Sequence, residues 1–283
     1  MDISIESAYG EALHFTKSHY ENFPVISLFL PQHIRKHIAV VYQFARRADD
    51  IADEGESNLE SKMENLELYK SDFSKCLEGK YENDFWAALH NTINQFNLTP
   101  KYFFDLLSAF RQDISTARYN SIIDLLNYCE RSANPVGRII LEFFTVRDEQ
   151  SLKYSDAVCT ALQLTNFYQD ISIDIKKKRI YIPLDELAKF GVSENQFELM
   201  ENNTNFEQLV SYQVERVKKL FVEGRKLIDR LPKQLKRQIY MTILGGEMIL
   251  FKIEKSNFGV IDHRPKLSVY DYCKIFTKTF FRL

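Results

Sequence analysis

The sequence predicts an all-α fold, and three observations carry that prediction. Glycine is sparse, with 9 in 283 residues beside only 7 prolines, where roughly 7% glycine and 5% proline are usual. Apolar residues recur at helical rather than alternating spacing. Pro31, Pro100, Pro183 and Pro232 punctuate the periodic segments instead of interrupting them.

The elements follow in order. Over 34–52 the set Ile34, Ile38, Val41, Ala45, Ala48, Ala52 is spaced 4-3-4-3-4, one stripe of an amphipathic helix. It starts after Pro31 and runs out in the polar "EGESNLES", beyond which a further helix follows. "LTPKYFFDLLSAF" begins another helix at Pro100, a residue suited to a first helical position. Long helices are expected over 121–146 and from 151 to about 175, the second stopping before "RIYIP". Two more occupy 204–229 and 233–255, divided near Pro232. No repeat, low-complexity block or Gly/Ser linker appears, so a single domain over 1–283 is expected.

Bulk properties narrow the function. An apolar fraction of 45%, with 22 Phe and 15 Tyr, supports a sizeable core and leaves rings to line an apolar cavity. A net charge of −2 argues against a nucleic-acid partner. Cys76, Cys129, Cys159 and Cys273 form no C-x-x-C pair, which favours a reduced, cytoplasmic protein over a metal-thiolate or thioredoxin-like one. The N-terminus "MDISIESAYG" lacks the layout of a signal peptide, and no apolar run approaches roughly 18 residues. The last ten residues, "KIFTKTFFRL", suit a terminal helix packed on the core; the rival reading is an interfacial anchor, peripheral on the inner membrane face.

The chemistry concentrates in two acidic stripes. "FARRADDIADEGE" at 44–56 sets Asp49/Asp53 and Asp50/Glu54 at i,i+4, like-charged pairs that destabilise a helix by about 0.2–0.5 kcal/mol each. Beside the apolar stripe run Tyr42, Arg46, Asp49 and Asp53, spaced 4-3-4 on one face. In "ALQLTNFYQDISIDIKKKRIYIP" the apolar stripe is Ala161, Leu164, Tyr168, Ile171, Ile175, and next to it lie Gln163, Asn166, Asp170 and Asp174. Each carboxylate pair stands at a helix C-terminus, where the macrodipole disfavours negative charge. A lone D-x-x-x-D is usually a solvated face; two in register with Asn, Gln and Arg point to bound cations. Oxygen donors without His or Cys select Mg²⁺, which bridges a few carboxylates to substrate phosphates. Arg46 and Arg179 suit the remaining phosphate oxygens. The implied ligand is a diphosphate clamped between two facing helices above an aromatic-rich cavity.

These segments resemble the squalene/phytoene synthases, the head-to-head trans-isoprenyl diphosphate synthases. The two aspartate-rich motifs of that family match "DDIAD" at 49–53 and "NFYQDISID" at 166–174, with "RIYIP" following at 179–183, and the similarity runs from "HYENFPV" at 19–25 to "RPKLSVYDY" at 264–272. Within the family the nearest likeness is to bacterial hydroxysqualene synthases of hopanoid pathways, through "ENFPVISLFLP", "FARRADDIADEG" and "YCERSANPVGR". The resemblance implies an isoprenoid synthase helical bundle that ionises presqualene diphosphate, or another prenyl diphosphate, and quenches the rearranged cation with water. It implies Asp49, Asp53, Asn166, Asp170 and Asp174 as Mg²⁺–diphosphate ligands, and Arg46 and Arg179 as diphosphate-binding. Tyr42, Gln163 and Tyr181 would line the cavity, with His19 near the phosphates.

The departures are informative. Where the family reads Y-C-x-Y-V-A-G-x-V-G this chain has "YCERSANPVG", losing a tyrosine and gaining Glu130, Arg131 and Asn134, candidates to position the quenching water. "H-S-x-S-F" becomes "HYENF", His19 to Phe23, without either hydroxyl. Both changes fit an enzyme that accepts presqualene diphosphate from a separate synthase, by channelling or release. The rival readings are a bifunctional synthase condensing two prenyl diphosphates, and a non-catalytic assembly factor; intact acidic motifs disfavour the latter. His33 and His37, H-x-x-x-H, read as a solvated face, and the Gly pair in "ILGGEMIL" at 243–250 as close helix packing.

Overall fold

The computed structural model describes residues 4–18, 30–53 and 58–282, and among them every regular element is helical. They group into two compact units, Met1–Ser115 with Arg138–Arg147, and Thr116–Gly137 with Asp148–Leu283.

The first unit contains α1 (Ile5–Ser18), α2 (Gln32–Asp53), α3 (Leu59–Leu77), α4 (Asp84–Phe96) and α5 (Pro100–Ser115). Helix α2 packs against the other four. Its expected stripe is inside: Ile34, Ile38, Val41, Ala48 and Ala52 are buried and Ala45 is half-buried. Phe44, fully buried, gathers Phe73, Phe103 and Tyr69 at ring distances of 4.9, 5.3 and 5.4 Å. Helix α5 does begin at Pro100. The buried Glu142 carboxylate accepts from the Thr99 N–H at 2.8 Å and the Thr99 hydroxyl at 2.6 Å, and pairs with Arg147. That anchors the helix start from another segment of the chain.

His37 corrects the expectation of a solvated His pair. His33 is exposed, but His37 is 2% exposed. Its Nδ1 lies 2.9 Å from the Thr92 hydroxyl, and the Tyr9 and Phe96 rings stand edge-on to it at 4.8 Å. Helix α2 has a second inward face, toward α1 and α4, so the position one turn after His33 turns into the core.

The expected helix over 121–146 is two helices, α6 (Ile122–Ser132) and α7 (Asn134–Phe143). Pro135 has no N–H to give and disfavours a helical residue before it, so the first helix ends and a new one starts with Pro in its first turn. Helix α6 opens on a capping box, Ser121 with Asp124. In the second unit α8 (Glu149–Gln169) stops short of the expected 175, followed by the single turn α9 (Ile171–Asp174) and a 3₁₀ turn at Ile175–Lys177. Short helices α10 (Leu184–Phe190) and α11 (Glu194–Glu198) lead to α12 (Thr204–Gly224), which ends before the expected 229 and gives way to a 3₁₀ turn, Arg225–Arg230. The expected 233–255 is matched by α13 (Lys233–Lys255), and α14 (Val269–Arg282) follows.

Helix α8 packs chiefly on α12, with α13 beside it. A Cβ on Gly224 would lie 2.6 Å from Val158 Cγ2 and 3.0 Å from the Val158 nitrogen; one on Gly246 would lie 2.6 Å from the Phe221 ring. The Gly246 position is the close helix packing read from "ILGGEMIL". Between α8, α10 and α12 a buried polar chain closes: the Tyr168 hydroxyl donates to Gln213, whose amide NH₂ donates to Glu186, which Arg216 neutralises. Burial raises the Tyr168 hydroxyl pKa, so it stays a neutral donor. The network fixes the C-terminal half of α8, which carries the second acidic stripe.

Candidate functional site

Each acidic stripe lies within one unit. On α2, Tyr42, Arg46, Asp49 and Asp53 are all half-buried, beside the buried stripe as the spacing predicts. Arg46 holds the acids together: Nη1 is 3.3 Å from Asp49 Oδ2, and Nε is 2.8 Å from Asp50 Oδ1. Asp50, one position round the helix from the expected ligands, therefore shares their arginine. The Tyr42 ring is 6.4 Å from Phe15. Glu54 and His19 lie outside the described residues.

The second stripe keeps helical register through the end of α8. Asp170 N–H donates to the Asn166 carbonyl and Asp174 N–H to the Asp170 carbonyl, both at 2.9 Å. Asn166, Asp170 and Asp174 therefore stand one turn apart, half-buried, with Gln163 half-buried on the preceding turn. Ala161, Leu164, Tyr168 and Ile171 are buried as expected, and Ile175 is half-buried. Lys178 adopts a left-handed conformation that ends the turn, and Arg179 N–H then returns to the Asp174 carbonyl at 2.9 Å. Asp174, Arg179 and Tyr181 border one small cavity of about 10 Å³, otherwise apolar.

An aromatic wall stands behind this stripe. Tyr181 stacks on Phe167 at 3.8 Å with planes 7° apart, Tyr119 lies 6.0 Å from Tyr181, and Tyr128 lies 5.5 Å from Tyr119. Such ring faces stabilise positive charge placed over them. Tyr128 opens the "YCERSANPVG" segment, whose other members diverge in environment. Cys129 is buried and its thiol is pushed up to about 12 by burial, which removes it as a thiolate nucleophile. Glu130 is exposed and Arg131 half-buried. Asn134 is 6% exposed, and its side-chain carbonyl accepts from the Thr160 hydroxyl at 2.9 Å. That bond fixes the amide orientation and leaves the NH₂ as the group Asn134 offers.

One charged partner was not legible beforehand. Arg264 grips Asp170 with two nitrogens, Nε on Oδ1 and Nη2 on Oδ2 at 3.2 Å, with both side chains largely shielded from water. The next residue is held as well, since Gln169 Nε2 donates to the Pro265 carbonyl at 2.7 Å. The signal available in sequence was the "RPK" at 264–266.

The donor set fits Mg²⁺. The acids are half-buried carboxylates with an Asn beside them, and neither His nor Cys stands in either stripe. Among the described residues no three His, Cys, Asp or Glu converge into a closed cage. An ion that keeps several waters and takes one or two carboxylates plus substrate phosphates needs no such cage.

The squalene/phytoene synthase family model matches residues 16–271. A hydroxysqualene synthase of Rhodopseudomonas palustris is 33% identical over 211 residues, 73% of this chain and 70% of its own. A 15-cis-phytoene synthase of Synechococcus elongatus is 26% identical over 273 residues, 92% of this chain and 88% of its own. The crystal structure of squalene synthase HpnC from Alicyclobacillus acidocaldarius superposes with a TM-score of 0.85 at 35% identity, covering 91% of this chain and 97% of that one. A dehydrosqualene synthase crystallised with a ligand shares the fold, with a TM-score of 0.88 at 22% identity over 98% and 97% of the two chains.

Proposed function

The chain belongs to the squalene/phytoene synthase family, an enzyme class acting on prenyl diphosphates, and from that premise we propose that it is a hydroxysqualene synthase converting presqualene diphosphate to hydroxysqualene and diphosphate. The chain acts as one domain in this reading. Mg²⁺ is the cofactor, held by Asp49, Asp53, Asn166, Asp170 and Asp174, and when bound it neutralises the leaving diphosphate. Arg46 and Arg179 take phosphate oxygens, with His19, Tyr42 and Gln163 as further substrate contacts.

The steps balance without a redox partner. The C–O bond to diphosphate breaks heterolytically and the electron pair leaves with the diphosphate. The cyclopropylcarbinyl cation rearranges beside the rings of Tyr128, Phe167 and Tyr181. Water then forms the new C–O bond and loses one proton to a nearby base. A hydrocarbon product would instead need either loss of a proton from the cation, which leaves a new double bond, or a hydride from a reductant.

The observation that carries the water quench is the Asn134–Thr160 pair, a fixed, buried polar group in the segment where the family tyrosine is missing. Of Glu130, Arg131 and Asn134, it is Asn134 whose environment best suits a positioning role. The likeness to hydroxysqualene synthases supports the same reading. A bifunctional synthase joining two prenyl diphosphates is the second reading, favoured by the longer span of similarity to phytoene synthases.

Purified protein with Mg²⁺ is incubated with presqualene diphosphate or farnesyl diphosphate, with and without NADPH, and the lipids are identified. An oxygenated product from presqualene diphosphate alone, indifferent to NADPH, is expected. Product from farnesyl diphosphate, or a hydrocarbon as the main product with or without NADPH, overturns the proposal. Asn134→Ala shifts the product ratio away from the alcohol if Asn134 positions the water, and an unchanged ratio removes that role.

A further inference from the structure

Helix α14 packs on α13 through Asp271, Ile275 and Thr279, buried and one turn apart, as a terminal helix laid on the core should. The two helices run antiparallel, with Lys252 paired to Asp271 at one end and Arg237 over the Phe280 ring at the other. Helix α13 is apolar on two faces. Gly246 is turned toward α8 and α12, where an added Cβ would lie 2.9 Å from Leu162 Cδ2 and 2.6 Å from the Phe221 ring. Leu244, Met248 and Phe251, at i, i+4 and i+7, stand about 140–160° round the helix from that glycine. With Ile275 they floor an open groove of about 280 Å³ between α13 and α14. Leu244 and Ile275 are buried, Met248 is half-buried and Phe251 is 47% exposed. The volume lies near the lower end of the roughly 300–1,000 Å³ of small-molecule sites.

The groove has uncompensated positive charge on its rim. Lys274 and Lys278, one turn apart on α14, both line it, and neither has an ion-pair partner among the described residues. The acids nearby are committed elsewhere. Glu247, the one acid lining the groove, is held by two nitrogens of Arg225, Nε at 2.8 Å and Nη2. Asp271 pairs with Lys252 at 2.8 Å and accepts from the Ser268 N–H and hydroxyl, each at 2.7 Å. Glu254 pairs with Lys218. A third ammonium, Lys255, stands 5.8 Å from the centre of the Phe251 ring. Free ammonium groups beside an apolar floor suit a ligand with an anionic head and an apolar tail. Met248 lets the floor fit tails of differing shape.

We propose that the groove between α13 and α14 binds a single-chain anionic amphiphile, an alkyl or prenyl chain ending in a phosphate or a carboxylate. The chain lies along Leu244, Met248, Phe251 and Ile275, and the head meets Lys274 and Lys278. An amphipathic partner helix, about 10–12 Å across, would lie over the rim instead of entering a groove this small. A second copy of the chain is a poorer occupant still, because a two-fold pairing of this face sets its lysines against one another. The site is separate from the second acidic stripe: it occupies the face of α13 turned away from α8, the helix that leads into that stripe. The inference stands whichever prenyl diphosphate the enzyme uses.

The test is a titration of the full chain, with isotope-labelled methionine methyl groups, followed by nuclear magnetic resonance. Met248 is one of five methionines, and its signal is assigned with Met248→Leu. Met63, on α3 in the other unit, is the internal control. The probes are decyl phosphate, decanoate, decanol and inorganic phosphate, below any micelle threshold and in EDTA, which keeps metal from the acidic stripes. Decyl phosphate and decanoate are expected to shift Met248 saturably, leaving Met63 in place, while inorganic phosphate does nothing. Lys274→Gln with Lys278→Gln weakens both amphiphiles about 10-fold, toward the affinity of decanol. Both lysines are exposed, and circular dichroism with the unchanged Met63 signal shows that the variant is folded. A response to only one of the two heads supports the proposal and names the head. No saturable shift at Met248, decanol binding as tightly as decyl phosphate, or a folded Lys variant that binds like wild type overturns it. A Met248 shift that follows protein concentration without any amphiphile overturns it in favour of a second copy.

Discussion

His37 makes the first unit sensitive to mild acid. Burial is the main cause that lowers its pKa from 6.5 to about 4, with Lys36 adding to the effect, Glu6 opposing it and His33 contributing a little more. The folded state therefore keeps the ring neutral, against Thr92 and between two aromatic edges, while the unfolded chain protonates near 6.5. A depressed folded pKa gives stability that is complete above 6.5 and is lost as pH falls through 4, because the unfolded state binds the proton first. Integrating between those two values, this one group removes about 2 kcal/mol on going from about pH 7.5 to about pH 5. Trp86 is the single tryptophan and is buried on α4, the helix that carries Thr92, so its fluorescence reports unfolding of this unit. Urea titrations at the two pH values should give a wild-type loss exceeding that of His37→Gln by about 2 kcal/mol. The absolute stability of the variant is immaterial; its pH slope decides. Equal losses in wild type and His37→Gln would refute the assignment of a buried neutral ring.

Three further outcomes are expected. Gly224→Ala drives a methyl into the backbone of Val158 and lowers stability by about 1–3 kcal/mol, outweighing the roughly 1 kcal/mol gain in helix propensity; a melting temperature at or above wild type contradicts it. Arg264→Gln removes the two-nitrogen grip on Asp170 and costs about 1.5–3 kcal/mol in urea unfolding, and Arg264→Lys recovers only part of this because an ammonium cannot bind both oxygens in parallel. Asp49→Asn and Asp174→Asn each lower kcat roughly 100-fold or more with little change in melting temperature, and EDTA abolishes wild-type turnover until Mg²⁺ is restored; full activity in either variant contradicts the ligand assignment.

What the sequence made legible follows the reach of local rules. The α2 stripe and the start at Pro100 depend on residues within a few turns, so periodicity and proline chemistry locate them. The helix over 121–146 is the instructive miss, because Pro135 was present in the chain and its preceding residue could not continue the helix. Asn83, whose side chain caps α4 through the Trp86 N–H, was a similar local signal. Other features could not be read locally. His37 is buried by contacts with Thr92 and Tyr9 from separate helices, and Arg264 meets Asp170 across 94 positions. An i,i+4 pattern specifies which residues share a face, but a helix with two buried faces needs the rest of the unit to show it.

The acidic stripes illustrate the limit most sharply. Carboxylates crowded at helix ends require nearby positive charge, and the spacing alone pointed to metal. The structure supplies a protein cation to each stripe: Arg46 spans Asp49 and Asp50, and Arg264 holds Asp170. Repulsion and dipole alone therefore do not demand a metal ion, since a guanidinium within the same unit answers both. The case for Mg²⁺ rests instead on the donor chemistry, on Asn166 and Asp174 continuing the Asp170 stripe turn by turn, and on family membership. The arginines still bear on the chemistry. A guanidinium committed to carboxylate offers fewer donors to phosphate, so a ligand that brings its own divalent cation can exchange partners with little net charge left unpaired. A diphosphate is such a ligand, and in each stripe one arginine offsets part of the carboxylate charge.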